Sequence, residues 1–402
     1  MNQSHRRLRI GIDWGMDGYS IRNGQYRYAV ELILALSRLD TGAEFVVFGT
    51  REQPAKEIAE VFDQGAPRWQ WIQKPPLWRG KGAFHAGQAR DAWLLRRHRI
   101  AVLHSIDAVV PLLAPCPVVW TCYDLMTEVF AEEYAVWRSN RGYERCKSAA
   151  QRSVSRHIAI SETTADDMGR FWKIPRNRIS VVHLGTSFFP PAEATNLPKG
   201  DLTRRFPELA GGPFLCSVYN LEPRKNLDGL LQAMQFVIRQ RPDLKLALFG
   251  KAAWSADREA RFECAVCEYG VDKHVVRLGF VDDLEMADLL RCSELFVFPA
   301  LYEGFGLPLL EAMRIGACVV ARNASAMAEV VGDAGLLVET RDGRQLGEAL
   351  ISLLNLPDER QRLSRAALER SQNFSTLRMA KQTYQVYLDA LAATGRAARK
   401  AA

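Results

Sequence analysis

A short stretch in the second half of the chain combines two carboxylates with a glycine-rich turn. Glu303 and Glu311 are eight residues apart, and Gly304 and Gly306 follow the first of them closely. Pro308 suits the first turn of a helix, so the turn is predicted to lead from a buried strand into a helix. Glycines let bare backbone N–H groups approach a ligand, and a helix start favours anionic groups. The pattern indicates a site for a polyhydroxylated anion, with hydroxyl groups bound by both glutamates.

Two adjacent cations occupy a comparable position earlier in the chain. Arg224 and Lys225 follow a predicted strand, residues 214–219, and precede an amphipathic helix. Arginine offers a planar fork of donors and lysine a point charge, so the pair suits a pyrophosphate. A pair of solvated surface cations is the alternative interpretation.

Composition describes an ordinary globular protein. The 402 residues favour two domains, and 48% hydrophobic and 25% charged residues provide an ample core. No apolar run is long enough to span a bilayer, and the first residues lack the apolar segment of a signal peptide, so a cytoplasmic location is expected. The net charge of +7 permits an anionic partner. No nucleic-acid-binding motif accompanies it, so nucleic acid is not expected.

The eight cysteines indicate reduced thiols rather than a metal site. Most lie within apolar or helical runs, as in a reducing cytoplasm. Cys264 and Cys267 have metal-like spacing, but no second pair accompanies them and the segment has a helical pattern. We therefore expect no metal ion.

Strands alternate with helices in both halves, which predicts a parallel, doubly wound sheet built twice. Residues 187–213 are rich in proline, glycine and charge, as in a linker, and they place a domain boundary near residue 200.

Several motifs together resemble the retaining glycosyltransferases of family 4, which have the GT-B fold. They are Glu303–Met313 (EGFGLPLLEAM), Glu222–Asn226 (EPRKN), Val182–Gly185 and Glu329–Ala334. The resemblance implies an α/β chain with two Rossmann-like, doubly wound parallel-sheet domains facing a cleft. Residues 1–200 would form the acceptor domain, joined by the C-terminal helix 377–402. Residues 201–376 would form the nucleotide-sugar donor domain.

The resemblance also implies roles for individual residues. Arg224, Lys225 and Glu303 would be catalytic, with the cations stabilising the leaving diphosphate. Family members often have a His-Asp pair where this chain has Tyr123-Asp124, and Arg22-Asn23 departs from the family's glycine loop. The donor-binding residues would be Gly24, Tyr123, Asp124, Phe280, Val281, Gly304, Phe305, Gly306, Leu307 and Glu311.

The implied activity is the transfer of a hexose from a nucleotide-diphosphate sugar with retention of configuration. GDP-mannose is the favoured donor, and UDP-glucose or a UDP-N-acetyl sugar is the alternative. The acceptor would be a glycan or a lipid-linked oligosaccharide in bacterial polysaccharide or lipopolysaccharide synthesis. Two cations beside the diphosphate make a metal cofactor unnecessary. A non-catalytic relative that binds a nucleotide or a glycan is a second hypothesis.

Three features of the first half remain open to two interpretations. Residues 74–84 form either an acceptor-binding loop or a solvated connection. The basic run from Arg138 to Arg156, beside aromatic residues, is either a helix on the anionic inner face of the plasma membrane or a solvated face. His104 is a candidate to face the crevice, whereas His157 and His183 are expected to be core or edge histidines.

Overall fold

A computed structural model shows two compact units, one formed by residues 1–185 with 376–402 and the other by residues 186–375. The predicted boundary near residue 200 lies outside the residues that the structure describes. So do Arg22 and Asn23, and residues 77–82 of the basic loop. The described residues are 7–17, 24–63, 68–76, 83–107, 111–139, 141–187, 202, 205–210, 212–250, 256–339 and 341–395.

The first unit contains a seven-stranded sheet in which all strands are parallel. Its strands are β1 (Arg9–Asp13), β2 (Glu44–Gly49), β3 (Trp69–Gln73), β4 (Val102–Ser105), β5 (Val118–Cys122), β6 (Arg156–Ala159) and β7 (Ile179–Val181). Its first helices are α1 (Gly24–Ser37), α2 (Ala59–Asp63), α3 (Ala83–Arg97), α4 (Met126–Val129), α5 (Ala135–Arg138), α6 (Arg141–Arg152) and α7 (Glu162–Trp172).

Local sequence signals explain these elements. Ala29, Leu32, Ile33 and Leu36 of α1 recur at the helical period, and all four are fully buried. Ser161 caps α7 by accepting a hydrogen bond from the Thr164 amide, as its sequence position predicts. The strand order is β3-β2-β1-β4-β5-β6-β7, so the direction of winding reverses between β1 and β4.

The second unit repeats this design with six parallel strands. They are β8 (Phe214–Val218), β9 (Lys245–Phe249), β10 (Val275–Gly279), β11 (Leu295–Phe298), β12 (Val319–Arg322) and β13 (Leu336–Val338). The helices are α8 (Leu227–Gln240), α9 (Ala256–Glu268), α10 (Asp283–Cys292), α11 (Leu307–Arg314), α12 (Ala326–Val331), α13 (Gly343–Leu354) and α14 (Pro357–Ser371).

The order β10-β9-β8-β11-β12-β13 places the reversal of this second sheet between β8 and β11. In open parallel sheets, ligands bind beyond the carboxyl ends of the strands at such a reversal. Leu230, Met234 and Val237 of α8 pack over the sheet with Leu350 of α13, and all four are fully buried. This apolar layer holds the strand ends in place. The predicted α/β fold with two doubly wound parallel sheets is confirmed.

The last helix, α15 (Thr376–Ala393), belongs to the first unit and packs on α1, β4, β5 and β6. Tyr387, fully buried, places its hydroxyl 2.8 Å from Nδ1 of His104, and Nε2 of His104 lies 2.8 Å from the Thr121 hydroxyl. Tyr28 shares the same Thr121 hydroxyl at 3.0 Å. A buried polar network thus joins α15 to the sheet.

Candidate functional site

Four charged side chains meet at the reversal of the second sheet, and we call Glu222, Arg224, Lys225 and Glu303 the charge cluster. Oε1 of Glu303 lies 2.8 Å from Nη1 of Arg224 and 2.5 Å from Nζ of Lys225. Oε2 of Glu222 lies 2.6 Å from Nε of Arg224. Each of the four side chains is only 10–13% exposed. The cluster therefore carries two cations and two carboxylates that are largely removed from water.

The first half of the charge cluster follows directly from the end of β8. Pro223, Arg224 and Lys225 form one turn of 3-10 helix, and Asn226 adopts a left-handed conformation (φ 55°) as α8 begins. Asparagine tolerates this conformation better than most residues. The turn therefore ends after Lys225, so both cations stand at the carboxyl edge of the sheet.

The second half follows β11, the strand beside β8. Backbone bonds tie the two segments together, since the Leu301 amide donates to the Arg224 carbonyl at 2.6 Å. The Asn226 side chain also donates to the Pro299 carbonyl at 3.3 Å. Glu303 is held opposite the cations by this pairing of loops, although the two parts of the cluster are distant in sequence.

The glycine turn then leads into α11. Gly306 has φ 96°, a conformation that L residues rarely adopt, and Pro308 stands in the first turn of the helix. Leu309, Leu310 and Met313 are fully buried. The turn thus ends at a helix start anchored by its apolar face.

The two glutamates of the EGFGLPLLEAM motif are both buried. Glu303 is 8% exposed and Glu311, on α11, is 5% exposed. Burial alone would raise the pKa of Glu303, but the charges of Lys225 and Arg224 outweigh it and hold the pKa below its usual value. Glu303 is therefore ionised at neutral pH. Its second oxygen, Oε2, makes no hydrogen bond to any described residue.

The other donor-domain candidates occupy separate positions. Gly304, Phe305 and Gly306 lie in the buried part of the turn, and Leu307 begins α11. Phe280 and Val281 follow β10; Phe280 is 52% exposed, whereas Val281 is buried. A nucleobase could stack on the exposed ring of Phe280 but not on the buried side chain of Val281, so the donor-binding role of Val281 stays a prediction.

The remaining donor-binding candidates belong to the first unit. Gly24 is exposed at the start of α1. The Tyr123 hydroxyl donates to the Ile106 carbonyl at 2.6 Å, and its ring packs edge-on against Tyr28. Asp124, two residues before α4, accepts a hydrogen bond from the Met126 amide at 3.0 Å. Both side chains thus shape the loop after β5.

His104 corrects one expectation. It is fully buried between Thr121 and Tyr387, and burial lowers its pKa to about 3. A strand-end position does not reveal whether a helix covers the side chain, and here α15 covers it. His157 is fully buried, as expected of a core histidine, whereas His183 is half-buried.

Sequence reasoning assigned no role to Ser325 or Glu222. The Ser325 hydroxyl accepts a hydrogen bond from the Glu303 amide at 3.0 Å. A buried ion pair in the first unit was also not predicted. Nζ of Lys74 lies 2.6 Å from Oδ1 of Asp13, and it lies 3.8 Å from Oδ2 of Asp91. Glu222 was visible within the EPRKN motif, whereas the other residues carry no local signal.

The basic run uses several of its charges internally. The Glu128 carboxylate forms ion pairs with Lys147 at 2.8 Å and with Arg138 at 3.1 Å. It also accepts a hydrogen bond from the Trp172 indole N–H at 2.9 Å. Arg156 donates to the Asn177 carbonyl. Fewer cations are therefore available to solvent than the sequence indicates.

Neither a spanning helix nor a metal cluster occurs among the residues that the structure describes. None of their helices combines the length and apolarity needed to cross a membrane. No three His, Cys, Asp or Glu side chains among them are close enough to hold a metal ion. None of the eight cysteines, all of which the structure describes, forms a disulfide, and Cys264 and Cys267 lie exposed on α9.

Two protein-family models match the chain. The one described as Glycosyltransferase Family 4 matches residues 22–187, and the one described as Glycosyl transferases group 1 matches residues 201–370. The first match falls on the seven-stranded unit and the second on the six-stranded unit. Together the two matches cover most of the chain.

Relatives and solved structures agree with these matches. O-antigen chain mannosyltransferase B of Escherichia coli is 29% identical over 302 residues, which are 74% of this chain and 77% of that protein. D-inositol 3-phosphate glycosyltransferase of Thermobispora bispora is 30% identical over 248 residues, or 59% of this chain, and the match spans 56% of that relative's length. Anabaena Alr3699/HepE in complex with UDP-glucose has a TM-score of 0.69 and 17% identity, covering 94% of this chain and 99% of that one.

The chain belongs to the GT-B glycosyltransferases of the family 4 type.

Proposed function

We propose that the chain is a retaining transferase that moves mannose from GDP-mannose to a glycan or lipid-linked oligosaccharide. The product would be part of a bacterial surface polysaccharide such as lipopolysaccharide. The O-antigen mannosyltransferase among its relatives supports both the sugar and the pathway. A UDP-sugar is the alternative donor, because the HepE structure holds UDP-glucose.

The observation that carries this proposal is that the two carboxylate oxygens of Glu303 have different contacts. Oε1 accepts both Arg224 and Lys225, whereas Oε2 has no partner among the described residues. Oε2 can therefore accept a hydrogen bond from a sugar hydroxyl while Oε1 keeps the two cations in place. Glu303 can thus bind the hexose and position the cations together.

The cations act on the leaving group. As the bond between the anomeric carbon and the phosphate oxygen breaks, negative charge grows on the β-phosphate, and Arg224 and Lys225 stabilise it. Because the cluster is largely shielded from water, these interactions are stronger than they would be in bulk solvent. Only interactions that strengthen in the transition state raise the rate, and this one does.

Retention follows in this proposal from attack on the face that the diphosphate leaves. The acceptor hydroxyl oxygen bonds to the anomeric carbon, and its proton passes to the departing phosphate oxygen. No protein nucleophile and no metal ion are assigned to the step. Glu311 would bind the ribose hydroxyls, and the backbone N–H groups of Phe305, Gly306 and Leu307 would complete the diphosphate site.

The acceptor would bind the first unit, which matches Glycosyltransferase Family 4. A lipid-linked acceptor would bring the protein to the inner face of the plasma membrane. Arg145, whose guanidinium lies 5.1 Å above the Phe84 ring, and Arg152 remain candidates for contact with an anionic surface. Lys147 and Arg138 are paired with Glu128 instead.

A donor screen followed by a transfer assay tests the proposal. A nucleotide sugar that binds only the folded chain raises the melting temperature by mass action. We expect GDP-mannose to do so more strongly than UDP-glucose or UDP-N-acetylglucosamine. The anomeric configuration of the product, read by NMR, then decides between retention and inversion.

A non-catalytic nucleotide-binding or glycan-binding protein is the second candidate function. The Tyr123-Asp124 departure from the family's His-Asp pair favours it. Nucleotide binding with neither transfer nor donor hydrolysis would support this alternative and overturn the first proposal.

A further inference from the structure

Ser325 has an unusual backbone conformation at the turn between β12 and α12. Its φ is 51° and its ψ is −154°, a combination that glycine adopts readily and other residues rarely adopt. Such conformations persist only where the surrounding structure holds them, and they concentrate at functional sites.

The side chain of Ser325 explains what this conformation achieves. Its hydroxyl accepts the Glu303 amide hydrogen at 3.0 Å, joining two segments that are 22 residues apart. Glycine would suit the backbone but has no hydroxyl, and alanine has neither the hydroxyl nor the conformational freedom. Of these three residues, only serine supplies an acceptor for the Glu303 amide.

Glu303, whose amide donates this hydrogen bond, is the centre of the charge cluster. The Glu303 carboxylate holds Arg224 and Lys225, so any movement of its backbone moves the attachment point of both cations. At the end of β12, Arg322 donates to the Leu301 carbonyl at 3.3 Å, and the Leu301 amide in turn donates to the Arg224 carbonyl. The end of β12 and the turn after it therefore hold the Glu303 segment through two hydrogen bonds, one from Arg322 to the Leu301 carbonyl and one from the Glu303 amide to Ser325.

We propose that Ser325 is a positioning residue for transfer, whose hydroxyl fixes the Glu303 main chain and thereby the geometry of the two cations. This inference rests on the proposed function of the charge cluster. A displacement of about 1 Å at a reacting centre can lower a rate by 10²-fold. Loss of the hydroxyl is therefore expected to lower kcat more than it changes the KM for the donor.

Two substitutions separate the hydroxyl from the backbone. Ser325→Gly removes the hydroxyl and relieves the strained conformation, whereas Ser325→Ala removes the hydroxyl and keeps the strain. We expect both to lower kcat by about tenfold to a hundredfold, with the donor KM within about threefold of the parent value. The melting temperature should stay level or rise for Ser325→Gly and fall for Ser325→Ala. Ser293→Ala is the control, because it loses a hydroxyl that bonds only within the end of α10.

Hydrogen exchange gives a readout that does not depend on activity. In Ser325→Gly, a peptide containing residues 301–307 should exchange faster than in the parent, and α10 should be unchanged. If the parent transfers sugar and Ser325→Gly matches it in kcat and in exchange, the positioning role is overturned. If the parent transfers no sugar, the proposed function fails. Faster exchange in Ser325→Gly would then still support the contact with Glu303, and unchanged exchange would overturn it.

Discussion

Lys225 and Glu303 are separated by 78 residues, and their side chains meet at 2.5 Å between Nζ and Oε1. They stand at the carboxyl ends of β8 and β11, which are neighbours in the sheet. This is the point where the direction of winding reverses, and helices on opposite faces diverge from it. The charge cluster therefore exists because of the strand order, and the sequence motifs supply its chemistry.

Loss of a charged side chain from the cluster should impair turnover. Arg224→Ala and Glu303→Ala are each expected to lower kcat by about 10²–10³, the scale for losing one transition-state contact. Steady-state kinetics with a saturating donor measures this. Arg241→Ala is the control, because Arg241 pairs with Asp243 at the surface. Near-normal rates in both cluster variants would remove the catalytic role assigned to them.

Acid should weaken the contribution of Glu303 to stability. The pKa of Glu303 is lower in the folded chain than in the unfolded chain, where it is about 4.3, so the unfolded chain takes up this proton first as pH falls. The stabilisation is complete above the unfolded value and disappears as pH falls through the folded value.

Glu303→Gln supplies the comparison. At pH 7 this variant leaves the buried Lys225 without its carboxylate partner and Arg224 with Glu222 alone, so it should unfold more easily than the parent. The difference in the free energy of unfolding should narrow between pH 5 and pH 3, as urea titrations at each pH would show. A constant difference over this range would contradict an ionised, cation-paired Glu303.

The buried pair Lys74–Asp13 should stabilise the first unit only as a pair. Lys74 is 9% exposed, and Lys74→Met leaves Asp13 without its closest cation. We expect this substitution to lower the free energy of unfolding by about 3 kcal/mol. The double variant Lys74→Met with Asp13→Asn removes both charges and should recover part of that loss. Chemical denaturation of all four proteins gives the coupling energy. Simple additivity of the two single changes would show that the pair is not coupled.

His104 should make the first unit sensitive to mild acid. Its folded pKa of about 3 lies below the unfolded value of about 6.5, so the unfolded chain alone binds the proton between these values. Stability is complete above pH 6.5 and falls as pH decreases, by about 2 kcal/mol at pH 5. His104→Gln, which retains hydrogen-bonding groups but does not titrate, should show a smaller change between pH 7 and pH 5.

A control and a second histidine bear on the same experiment. His85→Gln alters an exposed residue of α3 and serves as the control for the substitution of a histidine. His157, whose pKa burial also lowers to about 3, contributes in the same direction in every variant. An identical pH dependence for His104→Gln and the parent would contradict the buried, neutral state of His104.

Helices and strands could be predicted from the sequence because burial of one face gives their apolar residues a regular spacing. Short apolar runs predicted β8 and β11, and the amphipathic segment after β8 predicted α8. Their alternation predicted two parallel sheets, and the carboxyl ends of parallel strands are where ligand-binding residues gather. The charged residues at two such ends could therefore be selected before their contact was known.

Contacts between distant segments leave no regular spacing in the sequence. The bond from Ser325 to the Glu303 amide and the pair of Lys74 with Asp13 join segments 22 and 61 residues apart. The short strand β13 also lacks a strong pattern, and it was not predicted. His104 was misread because its burial depends on α15, which lies 272 or more residues further along the chain. Such contacts depend on tertiary packing.

The packing of α15 on β4, β5 and β6 has a consequence for biosynthesis. The seven-stranded unit needs residues 376–393 to cover its core, so a nascent chain leaving the ribosome completes the six-stranded unit first. Until then the face around His104 and Tyr28 is uncovered and open to chaperones. The half of the protein that is translated first is thus the half that matures last.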